Sequence, residues 1–179
     1  ADAALESGAS IVNDVSGLCS DPEMAACVAD HGAVALVMHN QRNRLFQDVI
    51  EDTRAGLEEG IKKATAAGVS MDRLIVDPGF GFGWRPGQNL ELLRRLGELQ
   101  SIGQPVLVGT SRKSVIGDVL DLPVTERLEG TAATVALAIA NGADIVRVHD
   151  VREMVRVARM TDAVVRGWTE RPKGDEEIR

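Results

Sequence analysis

The sequence predicts an α/β fold in which a parallel sheet is covered by helices. Two observations carry this. Short apolar runs that suit buried strands alternate with longer helix-forming segments. Each helix-to-strand junction also takes one form: SGAS at Ser7, DHGA at Asp30, AAGV at Ala66 and NGAD at Asn141 end a helix, turn the chain at a glycine and start an apolar strand. About five such units are visible where a closed (β/α)8 barrel needs eight. That leaves an open doubly wound sheet or the C-terminal portion of a barrel.

In chain order, Ala1–Glu6 is helix-forming and Ser7–Gly8 stops it, so the chain is expected to open inside a βα unit and to be part of a longer protein. Strands are expected near Ser10–Asn13, Val34–Met38, Leu74–Val76, Pro105–Val108 and Asp144–Val148. Helices fill the gaps at Pro22–Asp30, Gln47–Ala67, Gly87–Leu99, Val115–Leu120 with Val124–Asn141, and Glu153–Arg166. One domain over residues 1–170 accounts for the length. Residues 171–179 are charged, lack apolar periodicity and are expected to form a disordered tail.

Composition narrows the function. A hydrophobic fraction of 44% against 26% charged residues is enough for a substantial core. The net charge of −7 argues against a nucleic-acid partner. Cys19 and Cys27 form neither a CxxC motif nor a disulfide framework, which suits a reducing, cytoplasmic compartment. No charged-then-apolar leader and no bilayer-length apolar run is present, so no membrane association is expected.

Either architecture places its ligand at the C-terminal ends of the strands. Val106–Gly117, VLVGTSRKSVIG, passes from a strand through two hydroxyls to Arg112 and Lys113, and Ser114 is placed to cap a helix starting near Val115. Such a stretch is either an anion site or a solvated basic turn. Along Ile145–Asp150, IVRVHD, strand alternation puts Arg147 and His149 on the face of Ile145, with Val146 and Val148 on the other. Cations at two successive strand ends favour a ligand over an Arg merely paired in water. Asn13–Asp14 is most simply turn chemistry, and His39, after Met38, reads first as structural. Asp77 leaves an apolar run directly before Pro78, in DPGFGFG, which holds two of the three Phe in a chain that is 3% aromatic. A flat aromatic ligand is favoured there over a glycine-rich turn that buries Phe80 or Phe82.

IVNDVSG, LVMHNQ, IVDPGFGFG, VLVGTSRKSVIG and GTAATVALAIANGADIVRVHDV, in this order and spacing, closely resemble dihydropteroate synthase. The resemblance runs from Asp2 to Gly167, and DPGFGFG, SRKS and RVHD are specific in combination. It implies a TIM barrel of which this chain is the C-terminal part, about strands four to eight, the N-terminal strands being missing. It also implies the transferase reaction of folate biosynthesis, which joins 6-hydroxymethyl-7,8-dihydropterin pyrophosphate to p-aminobenzoate and releases pyrophosphate.

The resemblance carries roles to matching residues. Asp77 would hold the pterin amino group and ring N–H, since a carboxylate offers two neighbouring acceptors, and Asn13 would read another edge. Val15, Met38, Phe82 and Gly109 would line the pterin slot. Lys113 would contact both pterin and p-aminobenzoate, Ser111 the aminobenzoate carboxylate, and Phe80 would pack near that ring. Arg147 and His149, with Arg112, would bind pyrophosphate; Lys113, Arg147 and His149 are the residues implied for catalysis. Mg2+ is the implied cofactor, its ligand falling outside this sequence, so no metal ligand is named. A homodimer is implied for the full-length protein. Trp84 stands where many members carry Lys, and no role is carried over to it. Two alternatives are a pterin-binding methyltransferase acting on methyltetrahydrofolate and a corrinoid, and a non-catalytic pterin-binding paralogue. The methyltransferase expels no pyrophosphate and has no need of SRKS with RVHD.

Overall fold

Five parallel strands follow one another in chain order across an arc, and their side-chain alternation decides what the site is made of. The computed structural model describes residues 1–168; the expected tail, residues 171–179, lies outside the described residues. Strands β1 (Ile11–Asp14), β2 (Val34–Met38) and β3 (Leu74–Asp77) pair in that order, and β4 (Leu107–Val108) pairs with β5 (Ile145–Val146). A single parallel bridge, Val76 to Val106, links the two groups. Seven α-helices among the described residues complete the units: α1 (Asp2–Glu6), α2 (Met24–Asp30), α3 (Val49–Ala66), α4 (Pro86–Arg94), α5 (Ser114–Leu120), α6 (Leu128–Ala140) and α7 (Val151–Val165). No helix among them is long and apolar enough to cross a membrane.

The register sorts the side chains. Asn13 pairs with Leu36 and Leu36 with Ile75, while Met38 pairs with Asp77. With a period of two, Asn13, Leu36, Met38 and Asp77 therefore share one face, and Val12, Ala35, Val37, Leu74 and Val76 share the other. The second face is the one the helices cover. Ala35, Val37 and Leu74 pack with Val28 of α2 and Ala64 of α3, and Val76, Val106 and Val108 with Leu57, Leu92, Val115 and Ala138. The first face is buried at its centre, at Leu36, Met38 and Asp77, and open at its two edges, where Ile11 is 53% and Ile145 37% exposed.

The helices depart from expectation where local chemistry overrides periodicity. The segment expected as one helix over Gly87–Leu99 begins at Pro86, its start closed by Gln88 accepting from the Arg85 N–H at 2.8 Å. It changes after Arg94 into a 3-10 helix over Leu96–Ile102. Leu96 and Leu99 are buried and Ile102 packs against the same core. A spacing of three matches the 3-10 turn and not the α-helix. The segment expected from Val124 is likewise a 3-10 turn over Val124–Glu126, with α6 starting at Leu128. Strand β4 ends at Val108 as expected but begins at Leu107 and not at Pro105, Val106 making only an isolated bridge to Val76, and β5 is shorter than Asp144–Val148 at both ends, the chain turning into a loop at Arg147.

Candidate active site

Asp77 ends β3 beside Met38 and is 3% exposed. Its Oδ1 accepts the Gly79 N–H at 2.8 Å, one bond for a group with room for several. Burial pushes its carboxyl above the ordinary carboxylate range, opposed by that N–H and by Lys113 and Arg147. A buried acceptor facing two cations is poised to take hydrogen bonds from a ligand.

Lys113 arrives from the next loop. Its ammonium donates to the Phe80 carbonyl oxygen and lies 4.5 Å from the centre of the Phe82 ring. It rests over Gly81, where a Cβ would come within 2.7 Å of its Cδ; at φ +82°, that position suits only glycine. Burial lowers the Lys113 ammonium to about 8, Asp77 working against the shift and Arg147 with it. Phe80 itself is buried in the core with Val76 and Val106, so its polar contribution here is its carbonyl. Ser114 is not the cap of the following helix: Lys113 occupies the cap position with extended backbone, no side chain caps it, and Ser114 is the first helical residue.

Arg112 takes a separate course. Its backbone is left-handed, φ +57°, held by its N–H on Thr131 Oγ1 at 3.1 Å and its carbonyl on Arg127 Nη1 at 3.1 Å. Its guanidinium grips Asp150 through two bonds, one of them 3.0 Å from Nε to Oδ2. The two adjacent cations of the loop are thus divided, one paired with a carboxylate and one facing the site.

Arg147 and His149 leave β5 towards the same place. Gly109, Ser111, Lys113, Arg147, Val148 and His149 line one cavity of about 190 Å³. Arg147 donates its backbone N–H to Val108, and its Nη2 lies 3.3 Å from where a Cβ on Gly109 would stand, so the absent side chain lets the guanidinium sit against the β4 backbone. The Ser111 hydroxyl bonds His149 Nδ1 at 3.0 Å and accepts the His149 N–H at 3.2 Å, tying the two loops together. Asn13 lies on the Asp77 face of the sheet but is exposed, on edge strand β1. Val15 is exposed too, and Met38 is buried.

Sequence reasoning missed a group behind the glycine-rich loop. Trp84, 7% exposed, lies 5.4 Å from the buried His39 ring and takes the edge of Phe46 at 6.3 Å. His39 Nε2 meets Gln41 Oε1 at 2.9 Å, and its Nδ1 is buried without a protein partner. The burial of Trp84 shows only in three dimensions; the pair His39 and Gln41, two apart, was the available signal. Burial, the largest cause, lowers the His39 imidazole below its usual range, with Gln41 opposing. The unfolded chain therefore binds this proton first, so stability is full above about pH 6.5 and falls as pH drops from there. The expected observation is a His39 ring resonance, followed by NMR, that titrates below the ordinary imidazole value of about 6.5. A midpoint at or above that value would remove the acid sensitivity assigned to it.

A larger hollow, about 730 Å³, lies at the other end of the sheet, among Arg94, Glu98, Asn141, Asp144 and Arg166. It collects no buried acceptor and no strand end of the C-terminal kind. Lys113, Arg147 and His149 gather at the smaller cavity instead.

Comparison with known proteins identifies the family. The family model described as "Pterin binding enzyme" matches residues 1–149. The chain is 47% identical over 165 residues to the dihydropteroate synthase of Bacillus subtilis (strain 168), aligning 92% of this chain with 58% of that protein. It is 38% identical to the same enzyme of Escherichia coli (strain K12), over 88% of this chain and 58% of that one. Among solved structures, a dihydropteroate synthase from Clostridium difficile in the presence of pteroic acid superposes with a TM-score of 0.90 and 47% identity, covering 92% of this chain and 63% of the other. The chain thus spans about three fifths of the length of the curated relatives it matches.

Proposed function

The chain belongs to the pterin binding enzyme family, and from that membership we propose that it supplies the pterin- and anion-binding part of a dihydropteroate synthase. In this reading its five strands are about the fourth to eighth of a TIM barrel. The reading rests above all on one observation: a buried carboxylate, Asp77, faces Lys113 and Arg147, at the strand ends where such folds bind ligands.

The proposed division of labour follows the resemblance, and the gathering of Lys113, Arg147 and His149 around one cavity supports it. Asp77 accepts from the pterin amino group and ring N–H, and Asn13 reads a second edge of the ring. Met38, Val15, Gly109 and Phe82 form the walls. Ser111 holds the p-aminobenzoate carboxylate, with Phe80 packed beneath, and Lys113 lies between the two substrates. Arg147 and His149 take the pyrophosphate, and the Arg112–Asp150 pair holds their loops in place. In the reaction, the methylene carbon–oxygen bond breaks with its electron pair leaving on pyrophosphate. The aminobenzoate nitrogen then bonds that carbon and gives up a proton. Lys113 and Arg147 stabilise the charge gathering on the departing oxygen, the kind of fixed positive potential that is worth most where water is excluded.

Mg2+ does not fit the residues present. It demands a near-octahedral set of oxygens, whereas this site offers two cations around one carboxylate whose ionised form burial disfavours. No step is assigned to it. Exposed apolar side chains on α6 and α7, including Leu137, Val151 and Met160, support pairing of two copies as part of the same proposal. The free thiols Cys19 and Cys27 are in keeping with a cytoplasmic location.

The deciding experiment joins the chain to the part of the Bacillus subtilis relative that it does not span, and assays dihydropteroate and pyrophosphate together. Equal release of both, lost in Lys113→Ala, is expected. Methyl transfer from methyltetrahydrofolate with no pyrophosphate released would overturn the reading. A pH series adds a second check. Lys113 loses its charge as pH rises through about 8, so pyrophosphate affinity, measured by calorimetry, is expected to decline above that pH. Lys113→Arg, which stays charged, should flatten the decline; an unchanged slope would take Lys113 out of the anion site.

A further inference from the structure

We propose that Asp2, Cys27 and His31 form a binding site for a zinc-class divalent cation, with three protein ligands and one open position for water. The site lies on the outer surface where α1 meets α2, and none of its residues lines the strand-end cavity. A carboxylate oxygen of Asp2, the Cys27 sulfur and a ring nitrogen of His31 all lie within 4.8 Å of one another. A tetrahedral zinc holds such atoms at about 2.0–2.3 Å, and thus about 3.3–3.7 Å apart. An ion bound there would draw these side-chain atoms together by up to about 1.5 Å.

The placement has a sequence cause. Cys27 and His31 are four apart, on the last turn of α2 and its C-terminal cap, so they project from one side of the helix. Asp2 opens α1, and its Oδ1 lies 2.7 Å from His31 Nε2. That contact fixes which ring nitrogen faces the carboxylate, and a cation would take the place of the shared proton. Thiolate, imidazole and carboxylate together suit zinc and related borderline ions; magnesium and calcium prefer oxygen alone. Asp2 and His31 are exposed and Cys27 is half-buried, which leaves an entry path. The link would also steady α1, which has five residues and no side-chain cap, too short to hold a helical shape unaided.

The experiment titrates the chain with Co2+ as a spectroscopic stand-in and follows it with Zn2+. Expected are a thiolate-to-cobalt charge-transfer band, tetrahedral d–d bands, stoichiometric displacement by zinc and release of protons. Cys27→Ser should remove the charge-transfer band, whereas Cys19→Ser, at a thiol that instead meets Lys63 at 2.9 Å, should keep it. Asp2→Asn changes an exposed side chain and keeps an oxygen that can still accept from His31. It should weaken zinc by at least the roughly tenfold to hundredfold that loss of a mere outer-shell partner costs. No thiolate band, or a band that survives Cys27→Ser and vanishes with Cys19→Ser, would overturn the proposal and leave Asp2 and His31 as an ion pair. Unchanged zinc affinity in Asp2→Asn would overturn the three-ligand set.

Discussion

Replacing Arg147 by alanine in the completed barrel is expected to weaken pyrophosphate binding by about tenfold to a hundredfold. A hydrogen bond to a charged group contributes about 1.5–3 kcal/mol, and each 1.4 kcal/mol is about tenfold in affinity. Arg147 lines the 190 Å³ cavity with Lys113 and His149. Arg112 cannot readily take its place, since its guanidinium is already held by Asp150. A pterin without the pyrophosphate should lose far less. Calorimetric titration of both ligands separates the cases: equal losses would mean that Arg147 holds the loop and not the anion. The fold should tolerate the change, because what ties Arg147 to β4 is its backbone N–H.

Asp77→Asn tests the other half of the site and is expected to cost at least tenfold in pterin affinity. The substitution keeps the size but turns one acceptor into a donor, setting N–H against N–H. A buried mismatch of that kind costs about 1–3 kcal/mol. The unliganded protein should melt at nearly the same temperature, for two reasons. The remaining carbonyl oxygen can still accept from Gly79, as Oδ1 does at 2.8 Å. Burial already disfavours the charge that is being removed. Unchanged affinity with a lowered melting point would return Asp77 to the role of a turn residue.

Much of this site could be read before any coordinates. Asp77, Arg147 and His149 each follow apolar residues directly and Lys113 lies in the short loop after Val108, and a strand end is a local property of sequence. What could not be read depends on partners distant in the chain. Arg112 looks as free as Lys113 until Asp150, 38 residues on, is brought against it. Ser114 has the right chemistry for a cap, but the left-handed turn at Arg112 puts Lys113 in that position instead. The break between α4 and the 3-10 helix was written in the spacing of Leu96, Leu99 and Ile102, which α-helical periodicity obscured. Trp84 was an unexplained departure from a resemblance until His39 and Phe46 were found around it.

The lone bridge between Val76 and Val106 has a mechanical consequence. It makes a seam in an otherwise continuous hydrogen-bonded arc. Asp77 and the glycine-rich loop belong to one side of that seam; Lys113, Arg147 and His149 belong to the other. Apart from the shared core, the Lys113 bond to the Phe80 carbonyl is one of few polar stitches across it. A ligand held by Asp77 at one end and Arg147 at the other would act as a clasp. Its binding energy would be spent partly on pulling the two leaves together, and amides flanking the seam would gain hydrogen-exchange protection out of proportion to their distance from the ligand.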